Sequence, residues 1–145
     1  MPVRMRGVDV DTMSIARTAI TSNVSLSATT SATGNVAITL GPFTVEYPGT
    51  YRVHVYTPSL VKGTTNVDLE LWLDGAPGTG TMISTLSGHL TANATPFVSD
   101  VFVTLTGGSH TLRVAGFVDA GTGTFSANNS ATGNFPSAYA VIYPT

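Results

Sequence analysis

Polar and apolar side chains alternate strictly through residues 67–74 of the sequence. One side of this stretch carries Val67, Leu69, Leu71 and Leu73, and the other carries Asp68, Glu70, Trp72 and Asp74. Because successive side chains of a β-strand point to opposite faces, a period of two predicts a strand with one face in a core. Residues 51–57 alternate in the same way, with Arg52, His54 and Tyr56 on the side that we expect to face outward.

Helical periodicity is nearly absent elsewhere, and glycine or proline interrupts the sequence at short intervals. Further strands are predicted over residues 24–29, 35–40, 43–46, 81–86, 124–127 and 138–143. About eight to ten short strands in a chain of this size predict one all-β domain, an antiparallel β-sandwich, jelly roll or small barrel. We expect this domain to span residues 24–145. Residues 1–23 show mixed periodicity and are expected to form an N-terminal arm.

Two adjacent glycines, Gly107 and Gly108, separate two alternating stretches and resemble the two-residue loop of a β-hairpin. Closing the hairpin between Thr106 and Ser109 predicts a complete register. The predicted pairs are Val103 with Leu112, Val101 with Val114, Thr104 with Thr111, Phe102 with Arg113, and Val98 with Phe117. In this register, Phe102 and Arg113 form a cation–π pair on the surface.

Charged residues are scarce, since Lys, Arg, Asp and Glu together make up 10% of the 145 residues, against about 25% in ordinary soluble domains. The formal net charge of −2 excludes a strongly basic nucleic-acid-binding protein. Threonine and serine supply most of the polar side chains instead. Such a surface is typical either of a neutral β-protein or of a protein whose outer faces are buried against other subunits, where charge is depleted.

Several kinds of site and compartment are not expected from this sequence. The absence of cysteine excludes disulfides, a thiol nucleophile and cysteine-ligated metals. Residues 1–7 lack the apolar stretch of a secretion signal, and the longest apolar run, at 138–143, is too short to span a membrane. We therefore expect no membrane association and no cofactor.

The three histidines, His54, His89 and His110, have neither metal-ligand spacing nor a nucleophile elbow nearby, so no catalytic residue is predicted. Asp68, Glu70 and Asp74 share a strand face, where alternate side chains stand too far apart for a compact calcium site unless a loop contributes. If their strand neighbours residues 51–57, these carboxylates pair instead with Arg52, His54 and Tyr56 across the ladder. A longer connection to another sheet remains open.

Four aromatic residues fall on predicted outer faces, and we assign them as a candidate oligomer or ligand surface: Tyr56, Trp72, Phe102 and Phe117. Outward aromatics on a β-sandwich serve as subunit contacts, stack on sugars, or pack beneath a covering loop. All three interpretations remain open from the sequence.

The predicted arm is apolar enough to bind a partner, and it carries half of the Lys and Arg residues of the chain. Arginines form bidentate bonds with carboxylates, and methionines adapt to irregular contacts. The predicted partner-binding residues are Val3, Arg4, Met5, Arg6, Val8, Val10, Met13, Ile15 and Arg17.

Three segments together resemble a known jelly-roll pattern. They are the residues Phe-Thr-Val-Glu-Tyr-Pro-Gly-Thr-Tyr-Arg-Val from position 43, Val-Asp-Leu-Glu-Leu-Trp-Leu-Asp-Gly from position 67, and Val-Thr-Leu-Thr-Gly-Gly-Ser-His-Thr-Leu-Arg-Val from position 103. This pattern resembles the TNF/C1q-like head domains of bacteriophage virion proteins and some carbohydrate-binding modules. The last residues, 138–145, are similar to the final central strand of such heads. The resemblance spans roughly residues 36–145 and transfers no functional residues.

The resemblance implies a trimer that decorates a capsid or caps a tail fibre. The sequence has no heptads or long repeats of the kind that build a fibre stalk, so we favour the capsid. We therefore expect a non-enzymatic virion structural protein, most simply a capsid decoration protein that forms homotrimers and contacts a viral capsid or tail protein. The alternative is a tail-associated host-adsorption or carbohydrate-binding protein whose partner is a host surface glycan.

Overall fold

The structure, a computed structural model, describes residues 14–91, 93–128 and 136–145, and at Gly88 and His89 it describes the backbone only. These residues form ten strands joined by turns, and a single 3-10 turn over Ser31–Thr33 is their only helical element. The strands are β1 Ala16–Ala19, β2 Val24–Leu26, β3 Asn35–Val45, β4 Gly49–Val61, β5 Val67–Leu73, β6 Thr81–Leu90, β7 Thr95–Leu105, β8 Gly108–Val118, β9 Gly123–Phe125 and β10 Tyr139–Pro144.

The described strands build two antiparallel sheets that pack face to face. The first sheet has six strands, with β1, β10 and β4 in succession and β7 on the far side of β4. The last residues of β4 pair with β9, which in turn pairs with β2. The second sheet has the order β3-β8-β5-β6. The prediction of an all-β antiparallel sandwich is therefore confirmed.

Alternating residues of both sheets fill the space between them. Val53 and Val55 of β4 point inward from the six-stranded sheet, and Leu69 and Leu71 of β5 point inward from the four-stranded sheet. All four side chains are buried, and burying an aliphatic side chain of this size contributes about 1.5–3 kcal/mol. The inward assignments made from the period of two in β4 and β5 are thus correct.

The predicted hairpin at Gly107 and Gly108 is wrong. β7 pairs with β4 in the six-stranded sheet, whereas β8 pairs with β3 and β5 in the four-stranded sheet. The connection crosses from one layer to the other, and Gly108 has a φ of 122°, which favours glycine. Phe102 consequently lies opposite Arg52 and not opposite Arg113.

Two predicted strands, 35–40 and 43–46, form the single strand β3, whose pairing with β8 shifts register between Leu40 and Phe43. β1 lies within the segment 1–23 that the sequence predicts as an arm, and it pairs with β10 at the edge of the six-stranded sheet. Backbone hydrogen bonds from Ile15 to Ile142 and from Ile20 to Ala138 extend this pairing by one residue at each end.

Candidate functional site

Among the described residues, one sheet surface collects most of the aromatic and arginine side chains that the fold leaves outside its core. It is the outer face of β1, β10, β4 and β7, where register places Arg17, Val141, His54 and Asp100 in one row. We call it the tyrosine–arginine face. Its members are Arg17, Arg52, His54, Tyr56, Val98, Asp100, Phe102, Tyr139, Val141 and Tyr143.

Tyr139 lies at the centre of a stack on this face. The guanidinium of Arg17 lies 4.7 Å from the centroid of its ring, which is a cation–π distance. The rings of His54 and Tyr56 lie on β4 beside it, each with its centroid 5.6 Å from that of Tyr139. Strand pairing brings these groups together from β1, β4 and β10, so the stack exists only in the folded sheet.

A second contact group surrounds Asp100 on β7. One carboxylate oxygen, Oδ1, lies 3.1 Å from Nδ1 of His54 and 3.6 Å from Nε of Arg52. The Arg52 guanidinium also lies 4.9 Å from the centroid of the Tyr143 ring. Asp100 therefore offsets part of the positive charge that the arginines bring to the face.

These mutual contacts hold the side chains in place before any partner binds. Val141 belongs to the outer face, yet it is fully buried, between Arg17 on β1 and His54 on β4. Side chains that are already ordered lose less conformational freedom on association, which favours binding. The side chains of this face are therefore ordered by contacts within the chain itself.

Two apolar side chains on β7 remain open to solvent at one side of the face. Val98 is 57% exposed and Phe102 is 67% exposed, and their spacing of four residues puts both on the same side of the strand. The whole face contains tyrosine, phenylalanine and arginine but neither lysine nor glutamate. This composition is typical of protein–protein interfaces.

The structure separates the four aromatic residues that the sequence grouped as one surface. Tyr56 and Phe102 lie on the tyrosine–arginine face. Trp72 and Phe117 lie on the outer side of the four-stranded sheet, where Phe117 pairs with Asp68 and is half-buried. The four residues therefore do not form one site.

Trp72 lies on the outer side of its sheet, as predicted, but its side chain is only 7% exposed. Its indole Nε1–H donates to Oε2 of Glu70 at 3.1 Å, and the Ser31 hydroxyl donates to the same oxygen at 2.7 Å. The segment around Ser31 thus covers this face of β5, as in the loop-cover interpretation. Trp72 is not available to a partner in this structure.

The acidic residues of β5 are engaged within the fold. β4 and β5 belong to different sheets, so the connection between them crosses to another sheet, which the sequence left open, and the conditional pairing of Arg52 with the carboxylates of β5 does not form. Asp74 accepts hydrogen bonds from His110 Nδ1 at 2.8 Å and from the Thr111 backbone N–H at 2.9 Å. Across the described parts of the chain, no group of three metal-ligating side chains comes together.

The predicted arm residues are only partly within the described structure. Ile15 packs against the core, and Arg17 takes part in the tyrosine–arginine face. The remaining predicted residues lie outside the described residues: Val3, Arg4, Met5, Arg6, Val8, Val10 and Met13.

Sequence reasoning missed Tyr139 and Tyr143 as members of the face. Both alternate with buried residues along β10, so the period of two could have placed them on an outer side. Their neighbours follow only from the pairing of β10 with β4, which joins residues far apart in the chain. None of the described residues forms a helix of the length and hydropathy needed to cross a membrane.

No known family profile and no curated protein matches the sequence. Solved structures do match. The TNF protein Eiger from S. frugiperda superposes with a TM-score of 0.51 at 13% identity, with 90% of each chain covered. The carbohydrate-binding module CBM6cm-2 of lichenase 5A from Cellvibrio mixtus, solved with cellotriose, gives a TM-score of 0.50 at 16% identity and covers 92% of this chain and 99% of the module.

A more distant match, with a TM-score of 0.45 at 15% identity, is to a structure of infectious bursal disease virus, and it covers 34% of that chain. The two higher scores and the strand order, with β1-β10-β4-β7 facing β3-β8-β5-β6, agree on the architecture. The chain has the jelly-roll β-sandwich fold of the TNF/C1q-like type.

Proposed function

We propose that this protein is a non-enzymatic structural component of a virion that decorates and stabilises a capsid. It acts as a homotrimer, with the tyrosine–arginine face buried between subunits, and its N-terminal arm contacts the shell. The proposal therefore locates the protein on the assembled virus particle.

The observation that carries the subunit contact in this proposal is the composition of the tyrosine–arginine face, while the placement on a virion rests on the resemblance of the three sequence segments to phage head domains. Aromatic and arginine side chains are enriched at protein interfaces, and lysine and glutamate are depleted there. This face follows that pattern over four neighbouring strands and leaves Phe102 and Val98 open to solvent in the single chain. In a trimer the subunit contact is heterologous, so this face meets a different surface of the next subunit, and its arginines and the carboxylate of Asp100 supply polar contacts to that surface.

The arm supplies a separate contact in this proposal. β1 is an edge strand of the six-stranded sheet. Residues 1–13, which precede it in the sequence, contain alternating apolar residues and two arginines, Arg4 and Arg6. Such a segment can bind a neighbouring protein without disturbing the sandwich. We therefore assign shell attachment to residues 1–13 of the arm and subunit contact to the face.

Particles assembled without this protein test the proposal directly. Purified chain added to such particles should co-sediment with them and raise the temperature at which they release their genome. Phe102→Asp should bind weakly, because it places a carboxylate in the subunit contact. Met82→Asp is the matched control, since Met82 is also exposed but lies on β6 at the edge of the other sheet. Particles that neither bind the chain nor gain heat resistance would contradict the proposal.

A second candidate function is that of a tail-associated adsorption protein that binds a host glycan. Tyr47 favours it, because this aromatic side chain is 72% exposed and lies on the turn between β3 and β4, so it is not a member of the tyrosine–arginine face. Exposed aromatic rings provide the flat apolar surface on which sugar rings stack. Immunogold labelling of intact particles distinguishes the two, since label over the tail favours adsorption and label over the shell favours decoration.

A further inference from the structure

A small open pocket lies beside the turn that joins β3 to β4. Its volume is about 290 Å³, and it is bounded on one side by the turn and on the other by the end of β10, where Pro144 pairs with Tyr51. The lining residues are Tyr47, Pro48, Gly49, Thr50, Tyr51, Pro144 and Thr145. Ligand pockets in proteins start at about 300 Å³, so this one has room for a single ring and not for a large ligand.

Hydrogen bonds hold the backbone of the pocket in a fixed shape. The hydroxyl of the buried Tyr51 donates to the backbone carbonyl of Tyr47. The Thr145 hydroxyl donates to the backbone carbonyl of Thr50 at 2.7 Å. The turn and the end of β10 are therefore tied to each other and to the sandwich. The side chain of Tyr47 takes no part in these bonds and projects from a rigid support.

The chemistry of the lining selects among ligands. Tyr47, Pro48 and Pro144 supply apolar rings, while Tyr47 and Thr50 also supply hydroxyl groups. None of the lining side chains is charged. A neutral sugar ring fits this combination, because it presents C–H groups on one face for stacking and hydroxyls around its edge for hydrogen bonds. An anionic ligand would meet no cation among these side chains.

We propose that this pocket is a binding site for one neutral pyranose ring, with Tyr47 as the stacking platform. The site gives the second candidate function a location and rests on that function, whereas subunit contact through the tyrosine–arginine face does not depend on it. Copies of a weak site on one oligomer gain effective affinity for a surface that displays many identical sugars.

Chemical shifts of the ¹⁵N-labelled protein provide the test, with the methyl glycosides of glucose, galactose and mannose as probes. At about 10 mM probe, well above a Kd of about 1 mM, at least one glycoside should shift the amide signals of Gly49, Thr50 and Thr145. Tyr47→Ala should weaken binding about tenfold or more, and Tyr47→Phe, which keeps the ring, should change it less than about threefold. Tyr47→Ala keeps the backbone carbonyl that accepts the hydrogen bond from the Tyr51 hydroxyl, so this variant should fold normally.

Gly49→Val provides an independent block of the same pocket. A Cβ added at Gly49 would meet nothing within 4 Å and the backbone there needs no special conformation, so a valine can be placed among the lining residues at low cost. It should abolish the shifts, whereas Phe102→Ala, on the tyrosine–arginine face, should leave them unchanged. The same variants at Tyr47 and Gly49 should keep the wild-type mass in light scattering, which separates a failure of this site from a failure of the assembly proposal.

Three results would overturn the assignment. They are the absence of any shift with all three glycosides, shifts that persist in Tyr47→Ala, and tighter binding of the anionic sugar N-acetylneuraminic acid than of the neutral glycosides. The first would show that the pocket takes no pyranose. The second would place the sugar elsewhere, and the third would contradict the neutral chemistry of the lining.

Discussion

His110 and Asp74 form an ion pair where the end of β5 meets the start of β8, with Nδ1 of His110 2.8 Å from Oδ2 of Asp74. The other ring nitrogen, Nε2, lies 2.9 Å from the backbone carbonyl of Thr106. Both nitrogens of the buried ring thus face acceptors, so the doubly protonated imidazolium satisfies the site best. The hydrogen bond to Asp74 raises the pKa of His110, although burial acts in the opposite direction.

The pair predicts a stability that depends on pH. Burial raises the pKa of Asp74, but the hydrogen bonds from Thr111 and His110 outweigh it and the net pKa is lowered. His110 therefore stabilises the fold below its ordinary pKa of 6.5 and loses this effect as pH rises through its raised value. Asp74 stabilises above its ordinary value of 3.8 and loses this effect as pH falls through its lowered value.

Urea unfolding of the wild type and of His110→Gln checks this window. The difference in free energy of unfolding should be larger at about pH 5.5 than at about pH 9, by about 1 kcal/mol, because Asp74 is half-exposed and solvent weakens the pair. Met82→Gln is the control, because it introduces the same side chain at an exposed position without removing a titratable group. A difference that does not change with pH would show that His110 is neutral in the fold.

Trp72 should behave as a buried residue in spite of its place on the polar side of β5. Its fluorescence in the native protein should resist quenching by iodide and should become accessible on unfolding. Trp72→Phe removes the N–H donor to Glu70, so the buried carboxylate loses one partner and the free energy of unfolding should fall by about 1–3 kcal/mol. Efficient quenching of the native protein would contradict the covered position.

Asp119 fixes the turn before β5. Its carboxylate accepts hydrogen bonds from the backbone N–H groups of Asn66 and Thr65 and from the Thr65 hydroxyl, and these bonds, with that to Asn66 foremost, hold its pKa far below the ordinary value. Asp119→Ala should speed amide hydrogen exchange at Thr65 and Asn66. Exchange at Val53, in the core of the other sheet, should not change. Equal protection at Thr65 in both proteins would show that the carboxylate does not order the turn.

The period of two was sufficient to predict most strands, because it reports directly which side of a strand meets the core. It did not reveal how strands pair. Val103 and Leu112 both point inward whether β7 and β8 form a hairpin or face each other from opposite sheets, so the glycine pair between them was compatible with both arrangements. The choice depends on partners elsewhere in the chain, β4 for one strand and β3 and β5 for the other.

The candidate site was only half predictable for the same reason. Alternation placed Tyr56 and Phe102 on outer sides correctly. It placed Trp72 on an outer side as well, but a single strand pattern carries no information on whether another segment covers that side, as the segment around Ser31 does. The stack of Arg17 on Tyr139 depends on the pairing of β1 with β10, which the sequence left open.

Deletion of residues 1–13 should leave the sandwich intact and remove particle binding. Deletion through residue 20 also removes β1 and its four paired positions on β10, so it should in addition lower the free energy of unfolding by several kcal/mol out of a typical total of about 5–15 kcal/mol. Thermal unfolding and co-sedimentation with particles measure the two effects separately. Normal particle binding by the shorter deletion would refute the role of residues 1–13 in shell attachment.

The central claim is that copies of this chain associate through the tyrosine–arginine face, and the mass in solution tests it most directly. Light scattering of the full chain at high micromolar concentration should give three times the 15.0 kDa of one chain, the mass of a homotrimer. Intimate oligomers bury about 2,000 Å² or more at their contacts, so the trimer should persist at this concentration. Phe102→Asp should shift the mass toward 15.0 kDa, and Met82→Asp should not. A wild-type protein that remains at 15.0 kDa would contradict the claim.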